Sequence, residues 1–280
     1  MSEQTVLITG TSTGIGLEIA LGCAQAGWRT VATMRDPGRA GTLREAADAA
    51  GVGDLIDVRR LDVTDAGQVA DCVGGVVEAY GRLDAVVNNA GAGHVGTLEQ
   101  ETLDDIRAVM EVNFFGVLQV SRAALPHLRA AGGRLVTVSS VGGVVGQPFN
   151  EAYCAAKFAV EGFMESLTPL AATVGVTVTL VEPGAVASEF VANVRIDRDT
   201  AVERAGAYGP AMRAYLERSA GAFAAAQSSA DAAATVVTAV TGPTPPPRLQ
   251  TSDSARQFVG VKLADLDGSA VTRLTGGWLS

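Results

Sequence analysis

The segment from Thr5 to Ala24 restricts the fold more than any other. A short apolar run, Thr5 to Thr9, stops at Gly10, and Gly10-Thr-Ser-Thr-Gly14-Ile-Gly16 follows it. Leu17, Ile19, Ala20, Leu21 and Ala24 then recur at helical spacing. This reads as strand, glycine turn, helix. Gly10 permits a tight turn, Gly14 lets a pyrophosphate approach the main chain, and Gly16 lets helix pack on strand. The helix N-terminus then faces the phosphates, with Ser12, Thr13 and Ile15 in the same turn. Glycines cluster in many turns, so this loop alone is a weak signal. Its spacing is also G-x-x-x-G-x-G rather than the usual G-x-G-x-x-G of dinucleotide sites.

The remaining chain repeats the alternation. Strands are predicted at Arg29–Met34, Ile56–Leu61, Ala85–Asn88, Arg134–Val138, Val176–Val181 and Arg248–Ser252. Helical patterns fill Gly38–Ala50, Gln68–Tyr80, Leu103–Arg129, Glu151–Thr173 and Asp231–Val240, the last capped by Ser229. Pro126 predicts a break or bend near the end of the long third pattern. Such alternation implies an α/β fold, a doubly wound parallel sheet with helices on both faces. A ligand then lies at the carboxyl ends of the strands, where Gly10, Met34, Asp62, Asn89, Ser140 and Pro183 fall.

The stretch VSSVGGVVGQPFNEAYCAAK carries the chemistry. Tyr153 and Lys157 are four apart on a predicted helix, so phenol and ammonium share one face. A free phenol titrates near pH ~10, and a fixed cation beside it lowers that value toward useful acid–base range. Ser140, at a strand end, can hydrogen-bond a carbonyl oxygen or a developing alkoxide. In isolation, a tyrosine and a lysine at this spacing describe a surface helix with a snorkelling lysine.

Taken in order, the glycine turn, Asn88-Asn89-Ala90-Gly91, the single Asn113, and Ser140, Tyr153 and Lys157 resemble the short-chain dehydrogenase/reductase family over roughly residues 5 to 251. The wider glycine spacing is that family's own variant. Ser-Val-Gly-Gly, Pro-Phe-Asn and Tyr-Cys-Ala-Ala-Lys-Phe-Ala-Val-Glu-Gly are most similar to the 17β-hydroxysteroid and retinol dehydrogenase branch. The resemblance implies one Rossmann-type catalytic domain over 1–280, a partly helical substrate lid over about 189–227, and a C-terminal extension over about 253–280 of no legible role. It implies a catalytic set of Asn113, Ser140, Tyr153 and Lys157, with Asn113 kinking its helix and its carbonyl holding a water beside Lys157. It implies that Asp62 bonds the adenine amine, Val63 supports the ring, and Asn89, Ala90 and Gly91 pass the adenosine ribose. Tyr153 and Lys157 also serve the cofactor, Lys157 holding the nicotinamide ribose. The stretch Pro183-Gly184-Ala-Val186-Ala-Ser188 matches Pro-Gly-x-x-x-Thr, where the Val186 main chain and the Ser188 hydroxyl would receive the carboxamide of nicotinamide.

Cofactor choice turns on the end of the second strand. An acid that holds a ribose hydroxyl stands about 20 residues after the glycines. Met34 occupies that place, and Arg35 follows it, where a guanidinium could pair with a 2′-phosphate. NADP(H) is therefore expected, with NAD(H) the alternative if Asp36 accepts from the ribose; an exposed Arg-Asp turn is the third reading. Asn88 suits a tie between strands as well as a ligand contact. His94 is read as pocket lining at most. Walls near Ser140 and Tyr153 are expected from Val141, Val144, Gln147, Phe149, Asn150, Phe190, Tyr215 and Phe223, which favours a mostly apolar ketone or secondary alcohol. Gln147 argues for one polar substituent on it.

The net charge of −9 argues against nucleic acid or an anionic membrane as partner. Cys23, Cys72 and Cys154 are scattered, so neither a disulfide framework nor a metal site is expected. MSEQTVLITG lacks a basic region, so a signal peptide is not expected. No run of about 18 apolar residues occurs, so no membrane span is expected; a cytoplasmic protein is. Apolar positions in excess on two helices, Phe114, Phe115, Phe158, Phe163, Met164 and Leu167, predict a homodimer or homotetramer. The rival reading is a non-catalytic NADP-binding regulator, since fold does not fix function.

Overall fold

Strands buried on both faces must be apolar at every position, and the first strand is. In β1 (Thr5–Thr9), Val6, Leu7 and Ile8 are all inaccessible to solvent. Leu7 joins the core on one side of the sheet, and Val6 and Ile8 join the core on the other. The protein is described by a computed structural model covering residues 4–188, 197–224 and 226–279, without the side chains of 223 and 224.

Among the described residues, seven parallel strands form one sheet. They are β1, β2 (Arg29–Met34), β3 (Ile56–Arg60), β4 (Ala85–Asn88), β5 (Arg134–Val138), β6 (Thr177–Glu182) and β9 (Arg248–Gln250), in the order β3-β2-β1-β4-β5-β6-β9. The order reverses direction between β1 and β4, which opens a crevice at their carboxyl ends. A two-residue pairing of β7 (Val186–Ala187) with β8 (Gln227–Ser228) lies apart.

One face is covered by α1 (Gly14–Gln25), α2 (Gly41–Ala49) and α9 (Ser229–Thr241), through Leu17, Ile19, Cys23, Leu43, Val236 and Val240. The other carries α3 (Ala66–Tyr80), α5 (Gly116–Ala131) and α6 (Glu151–Ala172), through Val73, Val76, Val120, Leu128, Val160 and Met164. The short α4 (Leu103–Met110) leads into α5 through a π-helical turn, Glu111–Phe115. The other described helices are α7 (Arg198–Arg204), α8 (Gly209–Ala224), α10 (Asp253–Ala264) and α11 (Ser269–Gly276). No described helix is long and apolar enough to cross a membrane. All three cysteines are buried and free.

Two local expectations are corrected. The long helix does not break at Pro126; α5 continues to Ala131 and ends where Gly132 adopts φ 61°. A mid-helix proline costs about 3 kcal/mol, and burial of Ala124 and Leu128 on either side outweighs it. The cap of α9 is Ser228 rather than Ser229: its Oγ accepts from the Asp231 N–H at 3.0 Å.

The C-terminal extension, illegible in the sequence, packs against α8. Trp278 stacks on Phe258 with ring centroids 5.8 Å apart, and Arg218 of α8 lies over the same indole at 4.7 Å. Leu279 joins an apolar cluster of Phe149, Ala205, Met212, Tyr215 and Leu216.

Candidate active site

The glycine turn leaves room that any side chain would fill. Gly10 has φ +72°, and a Cβ there would stand 2.8 Å from the Ala90 Cα. Gly14 has φ +60° and faces the Ser188 side chain, with 3.3 Å from its Cβ position to the Ser188 Cβ. Thr13 precedes α1 without a side-chain cap, and the first turn of α1 holds no acid. Its N–H groups are thus available to an anion. The residues fit the phosphates of a dinucleotide.

Neighbouring positions divide into those that can touch a cofactor and those that brace the cradle. Asn89 braces: its Nδ2 donates to the carbonyls of Thr9 (2.9 Å) and Gly10 (3.0 Å), and the N–H groups of Asn89 and Ala90 donate to Thr9 Oγ1. Asn88 ties β4 to its neighbours through Ser121 and Thr137. The Val63 side chain is buried against Gly116 in the core. Asp62 accepts from Thr64 through Oδ1. Met34 is buried, Arg35 is exposed just past β2, and the Asp36 carboxylate accepts from the Gly38 N–H at 2.9 Å. Across the cleft, Pro183 accepts from the Val141 N–H through its carbonyl, Gly184 packs near Ala255, and Val186 is buried in β7. Ile15 packs on the core edge, and Ser12 lies half-buried in the turn.

The four expected catalytic residues come together from three elements. Asn113 is fully buried in the π-helical turn; Nδ2 donates to the carbonyls of Ala92 and Val109, each at 3.0 Å, and Oδ1 accepts from the Ala92 N–H at 3.1 Å. These bonds fix the loop after β4 to the helix, and the kink expected at Asn113 is this turn. A Cβ on Gly91 would stand 2.9 Å from Asn113 Oδ1 and 3.8 Å from Lys157 Nζ, so both polar groups border one bare stretch of main chain. Ser140 Oγ accepts from the Gly142 N–H at 3.0 Å, leaving its own proton free to donate, and it is hydrogen-bonded to Tyr153.

Electrostatics differ from the sequence reading. Burial pushes the Tyr153 phenol up to about 12, with the Ser140 hydrogen bond opposing it. Burial pulls the Lys157 ammonium down to about 8, with Glu161 opposing. Lys157 therefore does not lower the Tyr153 value in this structure. Its Nζ donates to the Val138 carbonyl at 3.0 Å and lies 5.9 Å from the phenol ring centroid, and its own charge is weakened by burial.

Of the expected pocket walls, Gln147 is well placed. Its Nε2, Ser140 Oγ and Tyr153 Cε1 all converge on Gly142, within 3.3 to 3.4 Å of a Cβ position there. Asn150 Nδ2 donates to the Tyr215 hydroxyl at 2.7 Å and to the Pro148 carbonyl. Phe149 packs on Tyr215 at 5.3 Å and holds φ 61°, a strained conformation for an aromatic residue. Val141 is buried with Val145, Ala255 and Val259, and Tyr215 with Met212 and Leu216. The Phe190 residue and the Phe223 side chain lie outside the described residues. His94 contacts Glu101 rather than Tyr153.

Sequence reasoning missed a buried ionic cluster behind Lys157, made of Glu161, Glu182, Arg248 and Gln250. Its signal was visible: Glu161 interrupts an apolar helix face four residues after Lys157, and Glu182 ends an apolar strand.

The family described as short chain dehydrogenase matches residues 4–199. Retinol dehydrogenase 8 of Bos taurus is 38% identical over 97% of this chain and 89% of its own. Estradiol 17-beta-dehydrogenase 1 of Rattus norvegicus is 38% identical over 96% of this chain and 80% of its own. Among solved structures, a single-residue variant of actinorhodin polyketide ketoreductase with NADPH superposes with a TM-score of 0.73 at 29% identity, covering 89% of this chain and 95% of that one.

Proposed function

The chain belongs to the short chain dehydrogenase family and is an oxidoreductase acting on CH–OH groups with a nicotinamide cofactor, and from that premise we propose that it is an NADP(H)-preferring enzyme interconverting a mostly apolar ketone and its secondary alcohol. The observation that carries the reading is the meeting of Ser140 Oγ, the Tyr153 phenol and the Gln147 amide around Gly142, at the carboxyl end of β5.

The cofactor, when bound, supplies or accepts the hydride. The chain does the rest. Ser140 donates a hydrogen bond to the carbonyl oxygen and orients it. Tyr153 keeps its proton at neutral pH and gives it to the oxygen as negative charge develops. Lys157 contributes positive charge from beneath the phenol and a donor for a ribose hydroxyl. Asn113 holds the Ala92 loop so that this donor has space. The exposed Arg35 favours a 2′-phosphate, and the engagement of Asp36 with Gly38 draws that acid away from a ribose role.

Substrate class is read from the half-buried Gln147 beside Ser140 and Tyr153, with the relatives in support: they are named for retinol and estradiol, largely hydrocarbon alcohols. The reading includes one domain over 1–280 with a lid, homo-oligomeric assembly through α5 and α6, and the cytoplasmic location expected from the sequence, which fractionation tests. The central test is NADPH oxidation against a panel of bulky apolar ketones, sugars and short hydroxy- or keto-acids, run on wild type and on Tyr153→Phe. Turnover of bulky ketones that falls by ~10²–10⁴-fold in the variant supports the reading. Preference for sugars or small acids, or full activity in the variant, contradicts it.

A further inference from the structure

Helix α11 adds little to the core. Thr275 is its one buried residue among those described, and Leu266 in the link before it is fully exposed. The apolar side chains that α11 and the residues after it do seat land beside the proposed site. Val271 packs with Phe258 of α10 on Val141, Val144 and Val145, the residues that follow Ser140. Leu279 packs on the cluster of Phe149, Met212 and Tyr215. Trp278 stacks on Phe258, with ring centroids 5.8 Å and planes 23° apart. The exposed Arg218 of α8 lies over the same indole at 4.7 Å, within the reach of a cation–π contact. The indole thus joins α8 to the wall that follows Ser140.

The other end of this chain of contacts is a strained residue. Phe149 holds φ 61°. A residue with a side chain keeps such a conformation only where its surroundings over-determine it. Here they are the Gly96 N–H, which donates to the Phe149 carbonyl at 3.0 Å, the Tyr215 ring at 5.3 Å, and Met212 and Leu279. Phe149 lies in the turn that carries Gln147. The Asn150 N–H donates to the Gln147 carbonyl at 3.2 Å, and Asn150 Nδ2 donates to the Tyr215 hydroxyl at 2.7 Å. The turn is therefore tied to α8, and α8 is tied to Trp278. Fold stability accounts for α10, which buries Ala255 and Val259. It leaves α11 unexplained, because that helix is largely exposed.

We propose that Trp278 is a specificity-determining positioning residue: stacked on Phe258 and covered by Arg218, it fixes α8 and thereby the turn of Gln147 and Phe149 that a bulky substrate meets. The inference rests on the reading that a ketone binds at Ser140, Tyr153 and Gln147.

Two measurements on the full chain test it. Hydrogen exchange read by mass spectrometry reports the hold on α8 without any activity. In Trp278→Ala, α8 and the turn at Phe149 and Asn150 should exchange about tenfold faster or more, while β1 and α1 keep wild-type protection. Steady-state kinetics report the consequence. The ratio of kcat/KM for a bulky apolar ketone to that for a short one should fall by about tenfold or more, chiefly through KM, with NADPH affinity unchanged. Trp278→Phe keeps an aromatic stack on Phe258 and should restore most of the ratio. Arg218→Gln should act in the same direction, and adding it to Trp278→Ala should cost nothing further, since the two side chains act as one contact. Arg218→Gln carries the test if Trp278→Ala does not fold. Unchanged exchange at α8 overturns the proposal, and so does a loss shared equally by both ketones, because Trp278 would then be structural only. Faster exchange at α8 in a protein whose wild type reduces no ketone upholds the hold of Trp278 on α8 and overturns the proposed function instead.

Discussion

Lys157 donates from Nζ to the main-chain oxygen of Val138 at 3.0 Å while remaining only 4% exposed. Burial brings its pKa from 10.5 to about 8, so between these values the unfolded chain binds more protons than the folded one. Stability is therefore lowest below the folded value and rises with pH through that window. Lys157→Met should abolish turnover and yet stabilise the fold at neutral pH by on the order of 1–3 kcal/mol. Urea unfolding measures this. A lower stability would mean that the ammonium is held more favourably than its burial implies.

The same titration sets the pH dependence of reduction. Tyr153, raised to about 12, retains its proton throughout the working range, while Lys157 loses its charge above about 8. With saturating cofactor, kcat/KM for a ketone should fall close to tenfold per pH unit on the alkaline side of Lys157. A profile that stays flat until the phenol ionises would assign the limb to Tyr153.

Arg35 is exposed at the end of β2, and Asp36 beside it is committed to the Gly38 N–H. Arg35→Ala should weaken NADPH by roughly tenfold, within the range of a charge-assisted contact to phosphate, and leave NADH nearly unchanged. Titration calorimetry with both cofactors checks it. Equal wild-type affinities would contradict the assignment, and tighter NADH binding would return the ribose to Asp36.

Gln147 Nε2 approaches the same point as Ser140 Oγ and Tyr153. Gln147→Leu should change the relative kcat/KM within a series of ketones that differ in one polar substituent, by about 1–3 kcal/mol between extremes. Unchanged ratios would remove Gln147 from the substrate site.

Phe115, Phe158 and Phe163 are exposed on α6 and the turn before α5, at 43%, 40% and 44%. Phe115 and Phe163 border a groove lined by Leu118, Leu125 and Leu167. Phe114 and Met164, expected to share this face, instead pack into the core. Sedimentation should give an assembly heavier than the 28.5 kDa chain, and Phe163→Glu should shift it toward that mass by placing a charge in an apolar contact. A wild-type monomer at micromolar concentration would contradict the interface.

The sequence by itself determined the alternation of strands and helices and the glycine turn, and it pointed to the residues proposed as the catalytic set. Those features are local: a run of apolar residues, a helical period, or two side chains one turn apart is written in neighbouring positions. The boundaries of β1, β2, β4 and β5 follow directly from such runs. What sequence spacing could not supply was how distant positions share one environment. Pro126 looked like a helix end because its own chemistry says so, while the burial of Ala124 and Leu128 that overrides it depends on the sheet beneath. The environment of Lys157 was hidden most fully, since Glu161, Glu182 and Arg248 stand far apart in the chain or on different elements. Only the parallel pairing of β6 with β9 brings Arg248 between the two acids. Burial and proximity together then decide the protonation of the lysine, and both are properties of the folded interior.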